Sequence, residues 1–380
     1  MSKNNDKKVD ILNVAQSSNV TINDSKKEGS VVYSGFDVGT MFCQCAIVTE
    51  NGKTNISSSR NSFVEIDNSG SDLEEILLRN KWQYINDSGR YYVIGDDSLQ
   101  VVKLFPNKLE LRRPMQDGVL NKNEEKKNIV LGKIIESMIG QAPKQNCVVA
   151  TCVSSQCIDD SLNSDFHALR LKSMFTRLGW NVKVIEEGLA VILNERPSCN
   201  DSNGVEIPYS GIGISFGGGR VNCVLAYKGL QIIGMSVSRS GDWIDKQVSG
   251  QTGAPISQIL RKKETELDFN KINEDDDIIF GLSTYYDVML KHVFNLFSKK
   301  FMEIKTEFDM PLDIVVAGGT SMPNGFETRV EKIVRSMDLP FKVSLIKKSK
   351  DPRNSVVMGL LTQAAISQRK LDKGVSGDSI

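Results

Sequence analysis

The sequence predicts an α/β fold in which two similar domains flank a nucleotide cleft. Three short glycine-containing segments each follow an apolar, strand-like run and lie far apart along the chain, at Gly35–Thr40, Ser215–Arg220 and Ala317–Pro323. Glycine lets a tight turn bring backbone N–H groups against a phosphate oxygen because it carries no Cβ. The strand, turn and strand of residues 31–48 recur at residues 211–227, which predicts an internal duplication.

The first half of the chain is predicted to begin as a meander of strands and to continue as alternating helices and strands. Period-two alternation and the turn residues Asn51-Gly52 indicate strands, and apolar residues at helical spacing indicate helices. Residues 72–86 are predicted to form a helix or a surface insertion. The predicted strands are Val31–Phe36, Met41–Thr49, Lys53–Ser57, Asn61–Ile66, Tyr91–Gly95, Asn146–Val153 and Asn181–Ile185, and the predicted helices are Asn123–Gln141 and Ser164–Leu178.

The second half repeats this order in shortened form. Helices that alternate with strands imply crossovers packed on a sheet. Beyond the strand pair of residues 211–227, the predicted strands are Leu230–Ser238, Leu312–Ala317 and Phe341–Ile346, and the predicted helices are one that begins at Gly241 and those at Thr284–Phe301, Gly325–Met337 and Val356–Ser367.

Composition excludes several classes of protein. The 47 basic and 47 acidic residues balance, so no global field attracts nucleic acid or an anionic membrane. No stretch approaches the roughly 20 apolar residues of a membrane span. Seven cysteines, mostly in apolar runs, suit a reducing compartment. Only His167 and His292 exist, which argues against histidine-based zinc sites and Ser-His-Asp catalysis, and both are predicted on helix surfaces.

The ends of the chain are predicted to be disordered tails. Residues 1–30 are rich in Asn, Ser, Lys and Asp, and residues 368–380 in Lys, Gly, Ser and Asp. Between the tails, the first domain is predicted at residues 31–205, with a small subdomain at about 57–112. The second domain is predicted at residues 206–367.

Five short motifs occur in a fixed order between residues 31 and 367. Together they resemble the actin-like ATPase superfamily, and they are most similar to the bacterial filament proteins MreB and MamK. The segment that precedes the first long helix is more specific than the first glycine segment, since it resembles the Arg-Pro-Leu-Lys-Asp-Gly-Val of MreB. The five motifs are Gly35–Thr40, Arg113–Val119, Val184–Ala190, Gly241–Asp245 and Ala317–Met322.

The resemblance implies two duplicated actin-like, ribonuclease H-like domains with ATP or ADP and Mg²⁺ in the cleft. Backbone amides after Asp37 and in the second glycine turn would grip the β- and γ-phosphates, and Asp37 would hold Mg²⁺ through water. The third glycine segment would contact the adenosine. The implied nucleotide-binding residues are Gly39, Thr40, Met41, Phe42, Gly217, Gly218, Gly219, Arg220, Gly241, Asp242, Lys262, Lys263, Glu264, Gly318, Gly319, Thr320, Ser321 and Met322.

Two carboxylates are the predicted catalytic groups. The resemblance places Glu187 near the γ-phosphate, where it would orient the attacking water, with Asp37 at the metal; phosphoryl transfer needs positioning and charge stabilisation above all. Glu187 is alternatively a helix N-terminal acid, and Glu186 shares this ambiguity. Arg220 either adds charge near the phosphates or is an exposed strand-end residue, and Lys262 to Glu264 are alternatively a solvated face.

The chain departs from the family pattern at two places. Ser215 stands where the second phosphate loop usually begins with aspartate, so hydrolysis is predicted to be slow. The stretch from Asp245 to Gly318 is shorter than the family would have, so the upper subdomain of the second half, at about 246–283, is predicted to be reduced. Within it, residues 264–277 are predicted to be a charged helix or loop.

The resemblance therefore implies a cytoplasmic, ATP-dependent protein that polymerises with itself and hydrolyses ATP slowly. No nucleic acid or integral membrane contact is expected, and the sequence identifies no adaptor protein. Two alternatives stay open: a monomeric ATPase of the heat-shock chaperone type, and a nucleotide-dependent scaffold that does not hydrolyse ATP.

Overall fold

The chain is organised around two five-stranded sheets of the same topology. The computed structural model describes residues 31–67, 73–104, 109–161, 164–195, 199–200, 205–207, 209–304, 308 and 310–373. The predicted tail at residues 1–30 and the last seven residues lie outside this described part.

The first sheet has the strand order β10-β9-β1-β2-β3. Its first three strands are antiparallel neighbours, and β9 and β10 are added in parallel beside β1. A smaller sheet of order β4-β6-β5 and two short hairpins accompany it. The strands are β1 Val31–Val38, β2 Phe42–Thr49, β3 Thr54–Arg60, β4 Phe63–Asp67, β5 Tyr84–Asp87, β6 Arg90–Ile94, β7 Met115–Gln116, β8 Val119–Leu120, β9 Val148–Val153, β10 Asn181–Glu186, β11 Cys199–Asn200 and β12 Glu206–Ile207.

The second sheet repeats the plan of the first, with the order β17-β16-β13-β14-β15. Again three antiparallel strands come first and two parallel strands follow. The predicted duplication is therefore confirmed at the level of sheet topology. The strands are β13 Gly211–Phe216, β14 Val221–Tyr227, β15 Leu230–Val237, β16 Leu312–Ala317 and β17 Val343–Lys348.

Helices cover both faces of the two sheets. Among the described residues, no helix combines the length and apolar composition that a bilayer crossing requires. The helices are α1 Leu73–Arg79, α2 Asp96–Leu104, α3 Lys127–Ile139, α4 Asp165–Arg177, α5 Glu187–Glu195, α6 Gly241–Thr252, α7 Ile256–Thr265, α8 Asp277–Met302, α9 Phe326–Arg335 and α10 Ser355–Asp372, with a single 3₁₀ turn at Gly319–Ser321.

Three features of the helices differ from the prediction. Helix α8 begins before the predicted Thr284, because the Asp276 side chain caps it by accepting from the amides of Ile278 and Ile279 at 3.0 and 3.2 Å. Helix α10 continues to Asp372, so residues 368–372 are helical rather than part of a disordered tail. Helix α7 has no predicted counterpart before residue 264.

The predicted small subdomains differ in construction. The one at about 57–112 contains the three-stranded sheet and a separate core built from Val64, Leu77, Tyr91, Val93 and Val101. Residues 246–283, all of them described, contain the end of α6, α7 and the start of α8, but no strand. This is what a reduced upper subdomain would contain, although the domain boundaries themselves stay predictions.

Two helices separate the two sheets. The core between the sheets joins residues of β9, β16, α5 and α10, for example Ala150, Ala190, Ala317 and Leu360. Helices α5 and α10 touch closely, because a Cβ on Gly359 of α10 would overlap the carbonyl group of Ala190 in α5. The two sheets are thus held at a distance that two closely packed helices set.

Candidate nucleotide site

A cavity of about 800 Å³ lies between the two sheets, within the usual range for ligand sites. All three glycine segments reach its wall. The predicted site residues at the wall are Asp37, Gly39, Thr40, Met41, Phe42, Glu187, Gly217, Gly218, Gly219, Arg220, Asp242, Lys263, Glu264, Gly318, Gly319, Thr320 and Met322.

Two hairpin turns, one from each sheet, face each other in this cavity. The β1–β2 turn closes with the Gly39 amide donating to the Phe42 carbonyl at 3.0 Å, and the β13–β14 turn closes in the same way between Gly217 and Arg220 at 2.9 Å. Within the described chain, the amides inside these turns, those of Thr40, Met41, Gly218 and Gly219, donate to no protein acceptor. Such unpaired amides in a turn form an anion-binding surface.

Four hydrogen bonds hold the carbonyl groups of Gly217 and Gly218 in the second turn. The Gly217 carbonyl accepts from the Gly241 amide at 3.1 Å and from Thr320 Oγ1 at 2.9 Å. The Gly218 carbonyl accepts from the Asp242 amide at 2.8 Å and from Ser240 Oγ at 2.6 Å. With its carbonyls engaged by the start of α6 and by the third glycine segment, the turn presents its amides to the cavity.

The two turns touch each other across the cleft. A Cβ on Gly219 would overlap Thr40 Oγ1 and lie 2.6 Å from the Gly118 nitrogen, and one on Gly218 would lie 3.1 Å from Met41 Cγ. Only a residue without a side chain allows this approach. The closed arrangement therefore depends on glycine in the second turn.

The third glycine segment turns sharply after β16. Gly318 has φ +93°, which other residues rarely adopt, and its amide donates to the Pro352 carbonyl at 2.9 Å. Ser321 is buried and its hydroxyl donates to the Gly318 carbonyl at 2.8 Å. Ser321 thus shapes the turn from behind, and the structure does not place it or Gly241 at the cavity wall.

Asp37 and Glu187 are two acids at the end of the cavity where the two hairpin turns lie. Asp37 is the penultimate residue of β1 and accepts a hydrogen bond from the Cys152 thiol at 3.5 Å. Glu187 begins α5 and accepts from Ser215 Oγ at 2.6 Å and from Asn222 Nδ2 at 2.7 Å. Burial raises the pKa of Asp37 to about 6. Burial and the neighbouring Asp37 charge together raise the pKa of Glu187 to about 8.

The raised pKa of Glu187 gives a testable pH dependence. Because the pKa is about 8 in the folded chain against an ordinary 4.5, the protonated group stabilises the fold below pH 4.5, and this contribution is lost as the pH rises through 8. Glu187→Gln stays neutral throughout. The free energy of unfolding of Glu187→Gln minus that of wild type is expected to increase by about 2 to 4 kcal/mol between pH 5 and pH 9. Urea unfolding of the metal-free, nucleotide-free protein measures this, and a constant difference would contradict it.

Glu186 is separated from Glu187 by the turn into α5. Its carboxylate accepts from Ser155 Oγ at 2.5 Å and lies against Gly234 of β15, and it does not line the cavity. Of the two acids that the sequence left open, the structure brings only Glu187 to the cavity wall.

The structure places the predicted Lys262, Lys263 and Glu264 in three different environments. Lys262 pairs with Asp276 and is not at the cavity wall. Lys263 is buried, and its Nζ lies 2.7 Å from both carboxylate oxygens of Asp245 and 3.3 Å from the Gly241 carbonyl. Burial raises the pKa of Asp245 although Lys263 opposes that rise. The Lys263 ammonium therefore forms its hydrogen bonds with residues of α6. Glu264 is exposed and lines the cavity.

Lys263→Met is expected to destabilise the fold by about 3 kcal/mol, because it leaves the Asp245 charge buried without its partner. Asp245 is 3% exposed, so water cannot replace the ammonium. Chemical denaturation measures the loss. The double variant Lys263→Met/Asp245→Leu removes both charges and is expected to recover most of the stability. Wild-type stability of Lys263→Met would show that the pair is not structural.

Arginine side chains link the two halves across the cleft. Arg220 is 3% exposed, which rules out the exposed strand-end position; its Nε donates to the Asp117 carbonyl at 2.7 Å and its Nη2 lies 3.7 Å from Asp160. Both Nη atoms are buried and have no hydrogen-bond partner within the described part of the chain. Arg113 pairs with Asp242 at 3.3 Å from the opposite direction.

The histidine prediction is wrong for His167. This residue lies on the inner face of α4, is buried, and lines the cavity, and burial lowers its pKa to about 4. His292 lies on α8 and pairs with Asp159 at 2.8 Å. Cys43, Cys152 and Cys223, which lie in apolar runs of the sequence, are buried.

Sequence reasoning missed several residues at the site. Asn222 holds Glu187, and Arg60 and Arg353 line the cavity and stack on the Phe42 ring at 5.0 and 4.8 Å. A four-residue turn places Asn222 directly opposite Ser215. The register of this hairpin could therefore have predicted that Asn222 lies beside Ser215 at the site. Arg353 follows β17, far from Phe42 in sequence, and no local pattern connects the two.

Solved structures with the same fold support the predicted architecture. A MamK double helical filament matches with a TM-score of 0.60 and 17% identity over 88% of this chain and 98% of that chain. MreB5 of Spiroplasma citri bound to AMPPNP matches with a TM-score of 0.61 and 15% identity over 90% and 98%. The ethanolamine utilization protein EutJ of Carboxydothermus hydrogenoformans matches at 0.50 and 12%, over 87% and 89%. The actin-like fold is thereby confirmed.

A protein-family model also matches the chain. The model of the family described as Volactin matches residues 32–364, which is most of the chain. No curated protein matches the sequence.

Proposed function

Since the chain belongs to the volactin family and has an actin-like fold, we propose that it is an ATP-binding cytoskeletal protein that polymerises with itself in the cytoplasm and hydrolyses ATP slowly. One observation carries the nucleotide part of this proposal. Two hairpin turns, one from each sheet, line the same cavity with amides that have no protein acceptor among the described residues. A triphosphate group supplies the acceptors that such turns require.

The known structures support the assignment of ligand and assembly. MreB5 of Spiroplasma citri is described with AMPPNP and with ADP, and a MamK mutant with AMPPNP. MamK itself is described as a double helical filament. We infer that this chain binds ATP and ADP at the equivalent cavity, and that its filament partner is a second copy of itself.

The acids at the phosphate end suit a magnesium ion bound mainly through water. Among the described residues, no three metal-ligating side chains cluster. Mg²⁺ usually keeps several waters and takes one or two carboxylates together with phosphate oxygens, so Asp37 beside the unpaired amides fits it. When bound, the ion would neutralise charge on the phosphates, and Asp37 would hold it through water.

Hydrolysis is assigned to Glu187. Its carboxylate is fixed at the phosphate end, and a carboxylate with a raised pKa can align and deprotonate water near neutral pH. Asp37 acts at the metal, and Arg220 adds positive charge behind the second turn. Slow turnover is expected because Ser215 leaves the metal with one acid fewer than the family pattern has.

Titration calorimetry with ATP and Mg²⁺ tests binding, light scattering and electron microscopy test polymerisation, and phosphate release tests hydrolysis. Heat on ATP addition, ATP-dependent scattering and visible filaments are expected. The absence of heat with either ATP or GTP would refute nucleotide binding. Binding without scattering would refute polymerisation alone.

A non-hydrolysing scaffold is the second candidate, and Ser215 is the observation that favours it. Its hydroxyl occupies the position of the second metal-organising carboxylate and is already engaged with Glu187. A scaffold would bind ATP and polymerise but release no phosphate above the background rate.

A further inference from the structure

The carboxylate of Glu187 is held at both oxygens from one pair of strands. Ser215 Oγ donates to Oε1 at 2.6 Å, and Asn222 Nδ2 donates to Oε2 at 2.7 Å. Two donors on two different oxygens fix both the position and the rotation of a carboxylate. A side chain that must meet a water at a defined angle gains from such support.

The two donors are themselves rigid. Ser215 and Asn222 lie directly opposite each other in the β13–β14 pair, and each is 1% exposed. Residues opposite each other in a strand pair project from the same face, so both side chains reach Glu187 together. The strand pair therefore acts as one fixed support.

Close packing brings the first turn of α5 onto this support. A Cβ on Gly188 would lie 2.9 Å from the Val224 amide nitrogen, and one on Gly213 would overlap the Gly188 carbonyl. With both positions occupied by glycine, the residue before Gly188 comes within reach of a short side chain such as serine.

The absence of charge on the two donors also favours their contact with Glu187. The family pattern has aspartate at the position of Ser215, and a buried carboxylate there would repel Glu187. A hydroxyl and an amide carry no charge and donate instead. In this chain the residue at this position holds Glu187 through a hydrogen bond.

We propose that Ser215 and Asn222 are positioning residues, which fix the Glu187 carboxylate in the orientation that aligns the attacking water. This inference rests on the proposed ATPase function. In the sequence Ser215 was notable only because it is not an acid, and this inference gives it a positive role in catalysis. It also gives Asn222 a role that the sequence did not indicate.

Steady-state phosphate release with ATP and Mg²⁺ provides the first test. Asn222→Ala and Ser215→Ala are each expected to lower kcat by about 10- to 100-fold while KM for ATP stays within about threefold. Asn222→Asp keeps the shape but removes the donor, so it is expected to lose as much as Asn222→Ala. Wild-type kcat in Asn222→Asp, or a rise in KM alone, would overturn the proposal.

A double-mutant cycle separates positioning from general damage. Once Glu187→Gln has removed the carboxylate, adding Asn222→Ala is expected to cost no further activity. An additional loss as large as the one in wild type would overturn the proposal. Ser210→Ala is the matched control, because it deletes a buried side-chain acceptor, bonded to the Lys228 amide at 2.8 Å, at the far end of the same hairpin. It is expected to keep wild-type kcat.

Crystal structures with a non-hydrolysable ATP analogue give a readout that needs no turnover. In Asn222→Ala the Glu187 side chain is expected to adopt a different rotamer or to lose order, and in Ser210→Ala it is expected to stay in place. An unchanged Glu187 in Asn222→Ala would overturn the proposal. Wild type that binds ATP without releasing phosphate would refute the ATPase function instead, and the crystal structures would still decide the positioning.

Discussion

Glu187→Gln is expected to lower the rate of phosphate release by about 10²- to 10⁴-fold, the usual contribution of a positioned general base. Glutamine keeps the length of the side chain and can still contact Ser215 and Asn222, so the cavity keeps its shape. What is lost is the ability to accept a proton from water. ATP affinity, measured by calorimetry, is expected to stay within about threefold of wild type.

A matched control is Glu186→Gln, which changes the neighbouring acid that lies outside the cavity wall. It is expected to keep most of the phosphate release. If Glu187→Gln hydrolysed ATP at the wild-type rate, another group would have to orient the water. If it failed to bind ATP, Glu187 would be part of the binding surface rather than the hydrolytic machinery.

Gly219→Ala is expected to weaken ATP binding by about 100-fold and to abolish ATP-dependent scattering. The added Cβ would overlap Thr40 Oγ1 and lie 2.6 Å from the Gly118 nitrogen. The two hairpin turns must then separate by about 1 Å, and a misplacement of that size typically costs about 100-fold in rate at a reacting centre. Calorimetry and light scattering on the same preparation measure both effects.

Gly250→Ala supplies the control for this substitution. Gly250 lies in α6, and a Cβ there would meet no atom within 4 Å. Alanine in a helix is expected to add about 0.5 to 1 kcal/mol of stability, with ATP binding unchanged. Wild-type ATP affinity in Gly219→Ala would mean that the turns do not close on the nucleotide together.

Local patterns were sufficient to predict the fold and the turns. The glycines of the three segments follow apolar strands directly, and the β13–β14 pair is a nearly continuous apolar run, so these signals lie within a few residues of each other. The duplication was visible because the two halves repeat the same strand, turn and strand. For these features, tertiary contacts follow local preference.

Long-range contacts account for what was missed. Helix α7 buries only Ile259 and Lys263 among its residues, so its apolar period is too weak to predict. The family resemblance implied Lys263 as a nucleotide ligand, and no local pattern showed its pairing with Asp245, which lies eighteen residues earlier. Arg220 and His167 are polar residues in buried positions, which composition alone assigns to the surface.

The contact between α5 and α10 determines how the molecule can change shape. Helix α5 rests on the second sheet and α10 on the first, and Gly359 lets them meet almost backbone to backbone. A rotation of one sheet relative to the other would require α5 and α10 to slide along each other, and no side chain at Gly359 blocks this movement. Ala190, which Gly359 contacts, lies three residues after Glu187 in α5, so a displacement of α5 along α10 would also move the Glu187 side chain.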